Sequence, residues 1–367
     1  MDKLRVGIVF GGRSVEHEVS VASATSILSA LDPNRYEVTL LCVDPAGRWR
    51  LGAPGMLPEE VEQGEEVRLP AVPGGGALVR AEGGAPAGRL DVVLPIIHGT
   101  GGEDGSIQGF LELAAVPYVG AGVLGSALQM DKDVAKKLLA AEGLPVVPWV
   151  LVRGTELPAG VDAAASRAVD ALGLPVFVKP ASLGSSVGIS KARTADELRR
   201  GLLDAARYDD KILVERAVDA REIEVAVLGN DSPEASVPGE ILPKRDFYDY
   251  ESKYVDEDTD LLVPAPLDEA LTERMRSLAI RAFEILEAAG LPRVDFFVDR
   301  ETGELWLNEL NSLPGFTEVS MYPRLWQASG LPYPALLDRL LELALERHAR
   351  RMQLERTFRT GSAPDEG

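Results

Sequence analysis

Arg293, Asp295, Glu309 and Asn311 are the residues best suited to carry chemistry in this chain. They lie in two short runs, RVD at 293–295 and NELN at 308–311, that read as the tips of adjacent strands; Pro314 and Gly315 close the second. Asp295 and Glu309 only accept hydrogen bonds when ionised, and Asn311 adds a neutral carbonyl oxygen. Such an all-oxygen set suits hard Mg²⁺, which keeps waters and shares phosphate oxygens, rather than zinc, which favours His and Cys. A fixed arginine beside it would neutralise charge developing on a transferred group. The combination points to metal-assisted phosphoryl chemistry.

Other segments can be weighed against that reading. The loop GSSVG at 184–188 follows Lys179 at the end of an apolar run. Its small residues let backbone N–H groups approach phosphate oxygens, and the Ser185 and Ser186 hydroxyls can add hydrogen bonds. Alone it would pass for a solvated hairpin; beside Lys179 and the acidic set, phosphate binding is the better account. No Walker A pattern exists in the chain. GAGVLG at 120–125 fits a dinucleotide fingerprint literally, but the position twenty residues on falls in the apolar connection 143–147, where an acidic residue is required.

GGRSVEHE at 11–18 and HGTGGEDG at 98–105 both follow apolar runs that read as strands, so both occupy the edge where open α/β sheets hold ligands. Glu16 can face a ligand cation there, or Ser14 can cap the following helix with acidic residues favouring its dipole. His98 suits either a proton carrier or a satisfied hydrogen-bonding residue, while His17 and His348 read as structural or solvated. Glu215 and Glu222 flank a short connection between strands and could hold an adenine amine and a ribose diol. Residues 243–262, aromatic then acidic, form a long loop of the kind that serves as a lid and excludes water from a reactive intermediate; a surface excursion is the bland alternative.

These residues need elements to position them. A chain of 367 residues is long for one core and suggests two or three domains. The formal charge of −20 argues against a nucleic-acid partner, so a polyanionic substrate must be held by local Lys, Arg or metal. The lone cysteine, Cys42, sits in an apolar run and reads as a buried, inert thiol, which fits a reducing compartment. No apolar run approaches the ~20 residues that span a bilayer, and a cytoplasmic protein is expected.

In the first third, strands at 4–10, 36–43 and 91–97 alternate with helices at 19–31 and 105–115, which predicts a parallel sheet covered on both faces. Residues 44–90 interrupt this as a variable surface insertion with a few short strands. A helix follows at 131–142. Strands at 149–152, 176–179, 211–214, 223–228 and 237–241, with helices at 163–172 and 195–208, then suggest an α+β region with antiparallel pairing. Long amphipathic helices at 272–289 and 334–350 complete the pattern, and the last residues read as a disordered polar tail.

Six motifs in order carry a resemblance. GGRSVEHEVS (11–20), HGTGGEDG (98–105), MDK (130–132), KPASLGSSVG (179–188), YDYESKY (248–254) and NELNSLPGFT (308–317) resemble those of the D-alanine–D-alanine ligases, enzymes of the ATP-grasp superfamily. The similarity spans about residues 4 to 345. It implies an α/β and α+β architecture: a Rossmann-like parallel-sheet domain at 1–120, a central ATP-grasp subdomain at 121–214, a C-terminal catalytic subdomain at 215–350 and a tail at 351–367. It also implies ATP-dependent joining of two D-alanines through an acyl phosphate for peptidoglycan synthesis, with relatives that accept D-lactate or D-serine as the alternative, in a homodimer.

By motif, Glu16 resembles the carboxylate that holds the first substrate's ammonium, with Ser185 and Tyr254 as its hydrogen-bonded partners. Lys132 and Lys179 resemble the ATP-phosphate lysines. Glu215 and Glu222, with the backbone at Arg216 and Val218, resemble the adenine and ribose contacts. Arg293 and the Gly315 N–H resemble the oxyanion hole, and Asp295, Glu309 and Asn311 the ligands of two magnesium ions, which manganese can replace. Ser320 and Met321 fall where the second substrate's carboxylate is held, His98 falls in the substrate site, and Lys253 near the transferred phosphate. The Tyr254 hydroxyl resembles that of dipeptide-making members.

Overall fold

In a computed structural model, the structure describes residues 2–73, 76–184, 187–242 and 260–355. Nine helices are found among them: α1 (His17–Ala30), α2 (Ser106–Leu113), α3 (Val123–Met130), α4 (Lys132–Ala141), α5 (Val161–Leu172), α6 (Ala195–Ala205), α7 (Glu269–Ile285), α8 (Met321–Ala328) and α9 (Tyr333–Met352). They cover three sheets.

The first sheet starts from β1 (Leu4–Gly11), whose residues from Val6 onward are buried. Its alternation sends Val6, Ile8 and Phe10 to a core shared with α1 and α9, and Val9 to a core shared with α2. β2 (Tyr36–Val43) and β7 (Val92–Pro95) pair parallel with it. Residues 44–90 carry the few short strands expected of them. This stretch forms β3 (Trp49–Leu51), β4 (Glu65–Arg68), β5 (Ala77–Arg80) and β6 (Pro86–Arg89), which extend the sheet antiparallel from β2. The sheet is therefore mixed, not parallel throughout. Strands of three or four residues are too short to show a clear period in sequence. Gly47, at φ +85°, makes the turn that sends the chain back beside β2.

The second sheet is wholly antiparallel, in the order β10 (Ser190–Ala192), β9 (Val176–Pro180), β11 (Lys211–Arg216), β8 (Trp149–Arg153). Its apolar face packs on α5 and α6. The third runs β15 (Asp260–Leu262), β14 (Gly239–Leu242), β12 (Ala220–Leu228), β16 (Arg293–Asp299), β17 (Leu305–Asn311), with β13 (Glu234–Ala235) paired to β12. Helix α7 covers one face, and Ala135 and Leu139 of α4 join that core. Thus α4 packs with the third sheet although it precedes the second in the chain. Of the expected lid at 243–262, residues 260–262 are β15; residues 243–259 lie outside the described residues.

Candidate active site

The acidic set is assembled by strand register. In the antiparallel ladder β12–β16–β17, Glu224 lies opposite Asp295 and Asp295 opposite Glu309, while Arg293 lies opposite Asn311. Directly opposed residues share a face, so these side chains converge. A bulge is needed for this. Phe296 pairs with Leu307 but Asp295 with Glu309, which leaves Asn308 as the extra residue. Before the bulge Leu305 and Leu307 enter the core; after it Leu310 does, and Glu309 and Asn311 turn to the opposite face. Without that residue Glu309 would follow Leu307 into the core.

Three carboxylates on one face would repel unless a cation lay among them. Arg293 supplies it. Its Nε and Nη2 each donate to Asp295 at 2.7 Å, and Nε lies 3.0 Å from Glu224 Oε2. The guanidinium is pushed well above its ordinary pKa; the carboxylates of Asp295 and Glu224 more than offset the opposing effect of burial. Asn311 Nδ2 donates to Asp295 Oδ2 at 2.8 Å. Lys132 Nζ lies 3.6 Å from Glu309 Oε2 and donates to Leu183 O at 2.8 Å, touching the acidic set and the glycine–serine loop at once. Facing oxygen donors already drawing on cations fit a hard divalent ion, and neither His nor Cys belongs to the set.

A second charged cluster lies against the first. Lys136, on α4, is 2% exposed, and its Nζ lies 3.0 Å from Glu215 Oε1 and donates to Val147 O at 3.2 Å. Lys179 pairs with the other oxygen of Glu215, and its Nζ is 3.4 Å from Asn308 Oδ1. Burial raises the cost of charging Glu215, but Lys136 and Lys179 override it and hold the carboxyl below its ordinary pKa. Burial likewise lowers Lys136, whereas Lys179, drawn by Glu215 and Glu309, is raised. Glu222 also adds to the field at Lys179. The Arg216 amide N–H donates to Pro148 O at 3.1 Å and is thus already engaged, while its guanidinium lies 4.8 Å from the Trp306 ring centroid. Val218 lies in the β11–β12 connection, partly exposed.

At the other wall stand the two loops after β1 and β7. Ser14 does not cap α1: Glu16 occupies the cap position, and Ser14 Oγ accepts the Glu16 N–H at 3.1 Å. The Glu16 carboxylate is buried where a Cβ on Gly99 would come within 2.6 Å of Oε2, and one on Gly184 within 3.0 Å. The loops after β7 and β9 therefore both close on Glu16, and at Gly99, with φ +76°, a side chain would be strained as well as crowded. His98 is fully engaged. Its Nδ1 lies 3.1 Å from Leu313 O and its Nε2 3.2 Å from Ser23 Oγ, so a neutral ring donates at Nδ1 and accepts at Nε2. Burial lowers its pKa. Both ring nitrogens point to protein partners.

Ser320 precedes α8 as its cap residue; its Oγ accepts the Thr317 N–H at 3.1 Å and lies 2.7 Å from Thr317 Oγ1. A Cβ on Gly315 would meet that Oγ at 3.4 Å, so Gly315 and Ser320 are neighbours. The Met321 side chain turns inward, near where a Cβ on Gly239 would sit, leaving only its backbone for a ligand. Ser185, Ser186, Lys253 and Tyr254 lie outside the described residues.

Three functional candidates escape the sequence reading: Lys136, Glu224 and Glu103. Lys136 stands one helical turn after Lys132, and Glu224 two residues after Glu222 on the same strand face, so spacing held the signal for both. Glu103 lies inside the HGTGGEDG motif without being singled out. Among the described residues, His17, Cys42 and Glu62 also converge within 4.8 Å. His17 is explained there by Gly12 O at 2.9 Å and Glu62 Oε1 at 2.9 Å, and burial pushes the Cys42 thiol up to about 12.

Comparison with known proteins agrees along nearly the whole chain. The family model described as D-ala D-ala ligase N-terminus matches residues 5–121, and that described as D-ala D-ala ligase C-terminus matches residues 138–342. D-alanine–D-alanine ligase A of Chromobacterium violaceum is 51% identical over 360 residues, covering 95% of this chain and 96% of the relative. Among solved structures, the D-alanine–D-alanine ligase of Coxiella burnetii superposes with a TM-score of 0.85 at 36% identity, covering 96% of this chain and 97% of that one. The VanG D-Ala:D-Ser ligase of Enterococcus faecalis does so with a TM-score of 0.83 at 31% identity, covering 94% and 100%. With the ATP-grasp fold and its facing acidic and basic clusters, the chain belongs to the D-alanine–D-alanine ligase family.

Proposed function

We propose that this protein joins two D-alanine molecules at the expense of ATP, giving D-alanyl-D-alanine, ADP and phosphate for peptidoglycan synthesis. The observation that carries the reading is the meeting of two opposite clusters: Asp295, Glu309 and Asn311 on one strand face, and Lys132 and Lys179 beside them. Lysines there suit phosphate oxygens. Asp295, Glu309 and Asn311 would hold Mg²⁺, which when bound neutralises phosphate charge and favours phosphoryl transfer; Mn²⁺ has the same hard-oxygen preference.

In this reading a D-alanine carboxylate oxygen attacks the γ-phosphorus, the bond to the β-phosphate oxygen breaks, and ADP leaves. The amine of the second D-alanine then attacks the acyl carbonyl. Arg293 and the Gly315 N–H stabilise the oxyanion, and phosphate departs with the proton that the amine loses as the amide forms. Glu16, buried between Gly99 and Gly184, holds the first ammonium, with Ser185 and Tyr254 completing that subsite and Lys253 near the phosphate. His98 shapes the substrate wall. Ser320 and the Met321 backbone hold the second carboxylate. Glu215, Glu222, Arg216 and Val218 line the nucleotide end. The three domains are assigned to 1–120, 121–214 and 215–350, the enzyme to the cytoplasm, and the working unit to a homodimer. No helix among the described residues is long and apolar enough to cross a membrane.

The higher identity to a D-alanine–D-alanine ligase A, 51% against 31% for VanG, supports D-alanine over D-serine at the second site. Incubation with ATP, Mg²⁺ and D-alanine tests the reading, with ADP and dipeptide followed together by mass spectrometry. Equal amounts of both are expected. ATP hydrolysis that ignores D-alanine would refute it, and preferential incorporation of added D-serine or D-lactate would overturn the specificity.

A further inference from the structure

The loop after β7 is fastened to the segment that follows the metal-ligand strand β17, and one carboxylate makes most of the connection. Glu103 Oε1 accepts the Gly99 N–H at 2.9 Å within its own loop; Oε2 accepts the Ser312 hydroxyl at 2.9 Å and the Leu313 N–H at 3.1 Å. Ser312 follows Asn311 directly, and Leu313 is two residues before Gly315. His98 adds a parallel tie to Leu313 O at 3.1 Å. Gly99, held at one end of this connection, is also the residue whose backbone packs on the Glu16 carboxylate.

We propose that Glu103 is a positioning residue that fixes the 312–315 segment against the first domain, setting the distance between the ammonium-holding Glu16 and the oxyanion-holding Gly315. The proposal rests on the ligase reading above. Three donors aimed at one carboxyl favour its ionised form. Burial and the charge of Glu16 oppose that and push Glu103 up to about 7. The ionisable group acting on it is Glu16, from the start of α1. A substrate ammonium on Glu16 would relieve the repulsion, so binding the first D-alanine favours the clamped state.

Glu103→Gln keeps the shape but not the charge. Its expected effect is a loss of roughly 10- to 100-fold in kcat, with KM for ATP little changed and thermal stability close to that of the parent. The parent's kcat/KM for D-alanine rises with pH through the region near 7 as Glu103 ionises; that limb should be missing in the variant. Ser312→Ala, which removes one donor, should lower kcat less, and the double variant should be no worse than Glu103→Gln alone. Unchanged kcat with the limb retained, or losses that simply multiply, would overturn the proposal. If Glu103→Gln does not fold, a Ser312→Ala variant with parental kcat is enough to reject it. D-alanine-dependent ADP formation by the parent is the control: its absence rejects the ligase reading, whereas its presence with a silent Glu103→Gln rejects only the clamp.

Discussion

On the third sheet, Glu224, Asp295 and Glu309 share a face with one arginine, Arg293; against the second sheet, Lys136 and Lys179 share one carboxylate, Glu215. Glu224, Glu215, Lys136 and Lys179 are buried and Arg293, Asp295 and Glu309 half-buried, and burying unpaired charge is costly. Counted separately, the first carries an acidic excess and the second a basic one; across their contact the second's surplus and Lys132 offset the first's. In the proposed function the acidic face takes cations and the basic one phosphate oxygens. Lys132, 3.6 Å from Glu309, reaches the acidic cluster from α4, the helix that also carries Lys136.

The comparison breaks most readily at its acidic member. Glu309→Gln keeps the shape and hydrogen-bonding capacity but removes the charge a metal requires. Turnover should fall by roughly 10³-fold or more, the scale of several kcal/mol of transition-state stabilisation, while the thermal midpoint changes little. Near-parental turnover at saturating Mg²⁺ would show that the acidic face is not the metal site.

Removing the internal cation should act on stability. Arg293→Met leaves Asp295 and Glu224 facing each other without their partner, and breaking a buried pair in this way costs about 3–5 kcal/mol. Added Mg²⁺ should restore part of the thermal midpoint, since it supplies the missing positive charge. Scanning calorimetry with and without Mg²⁺ decides this, and equal shifts for parent and variant would contradict it. The basic cluster should mirror the effect. Glu215→Gln strands two lysines and should cost about 3 kcal/mol, with ATP recovering part of it, whereas Lys136→Met leaves the Glu215–Lys179 pair and should cost about 1 kcal/mol. The reverse order of the two losses would mean that the excess charge lies elsewhere.

The sequence announced the donor types of the acidic face but not its geometry. Glu309 reaches that face because Asn308 is a bulge residue, and nothing in LWLNELN marks where the alternation slips. Strand β1 was plain because eight residues with a continuous apolar run allow little else, and β2 matched its expected ends at Tyr36–Val43. The strands from β3 to β6 were obscure because runs this short, edged by glycine and charge, lack a period. Lys136 and Glu224 were readable from spacing once Lys132 and Glu222 had been chosen. Glu103 was not, because its partners Ser312 and Leu313 lie more than two hundred positions away and only the fold joins them.

The smallest expected effect separates the loop beside Glu16 from both clusters. Burial lowers the pKa of His98 in the folded protein against the opposing charge of Glu16, whereas the unfolded chain's histidine titrates near ~6.5. As pH falls through that value the unfolded state takes up a proton that the folded state refuses, so stability drops by at most ~1.4 kcal/mol per pH unit. Glu103 works in the opposite sense. Its carboxyl is pushed up to about 7, so the folded state binds the extra proton at pH values above those where the unfolded carboxyl ionises, and that contribution is lost as pH rises toward 7. A single melting curve would mix the two, and only the difference between variants separates them. His98→Gln can still donate to Leu313 O, and it should show a shallower loss of thermal midpoint between pH 7 and 5 than the parent. Identical slopes would mean that His98 is protonated in the folded protein, with its Nε2 donating to Ser23 rather than accepting from it.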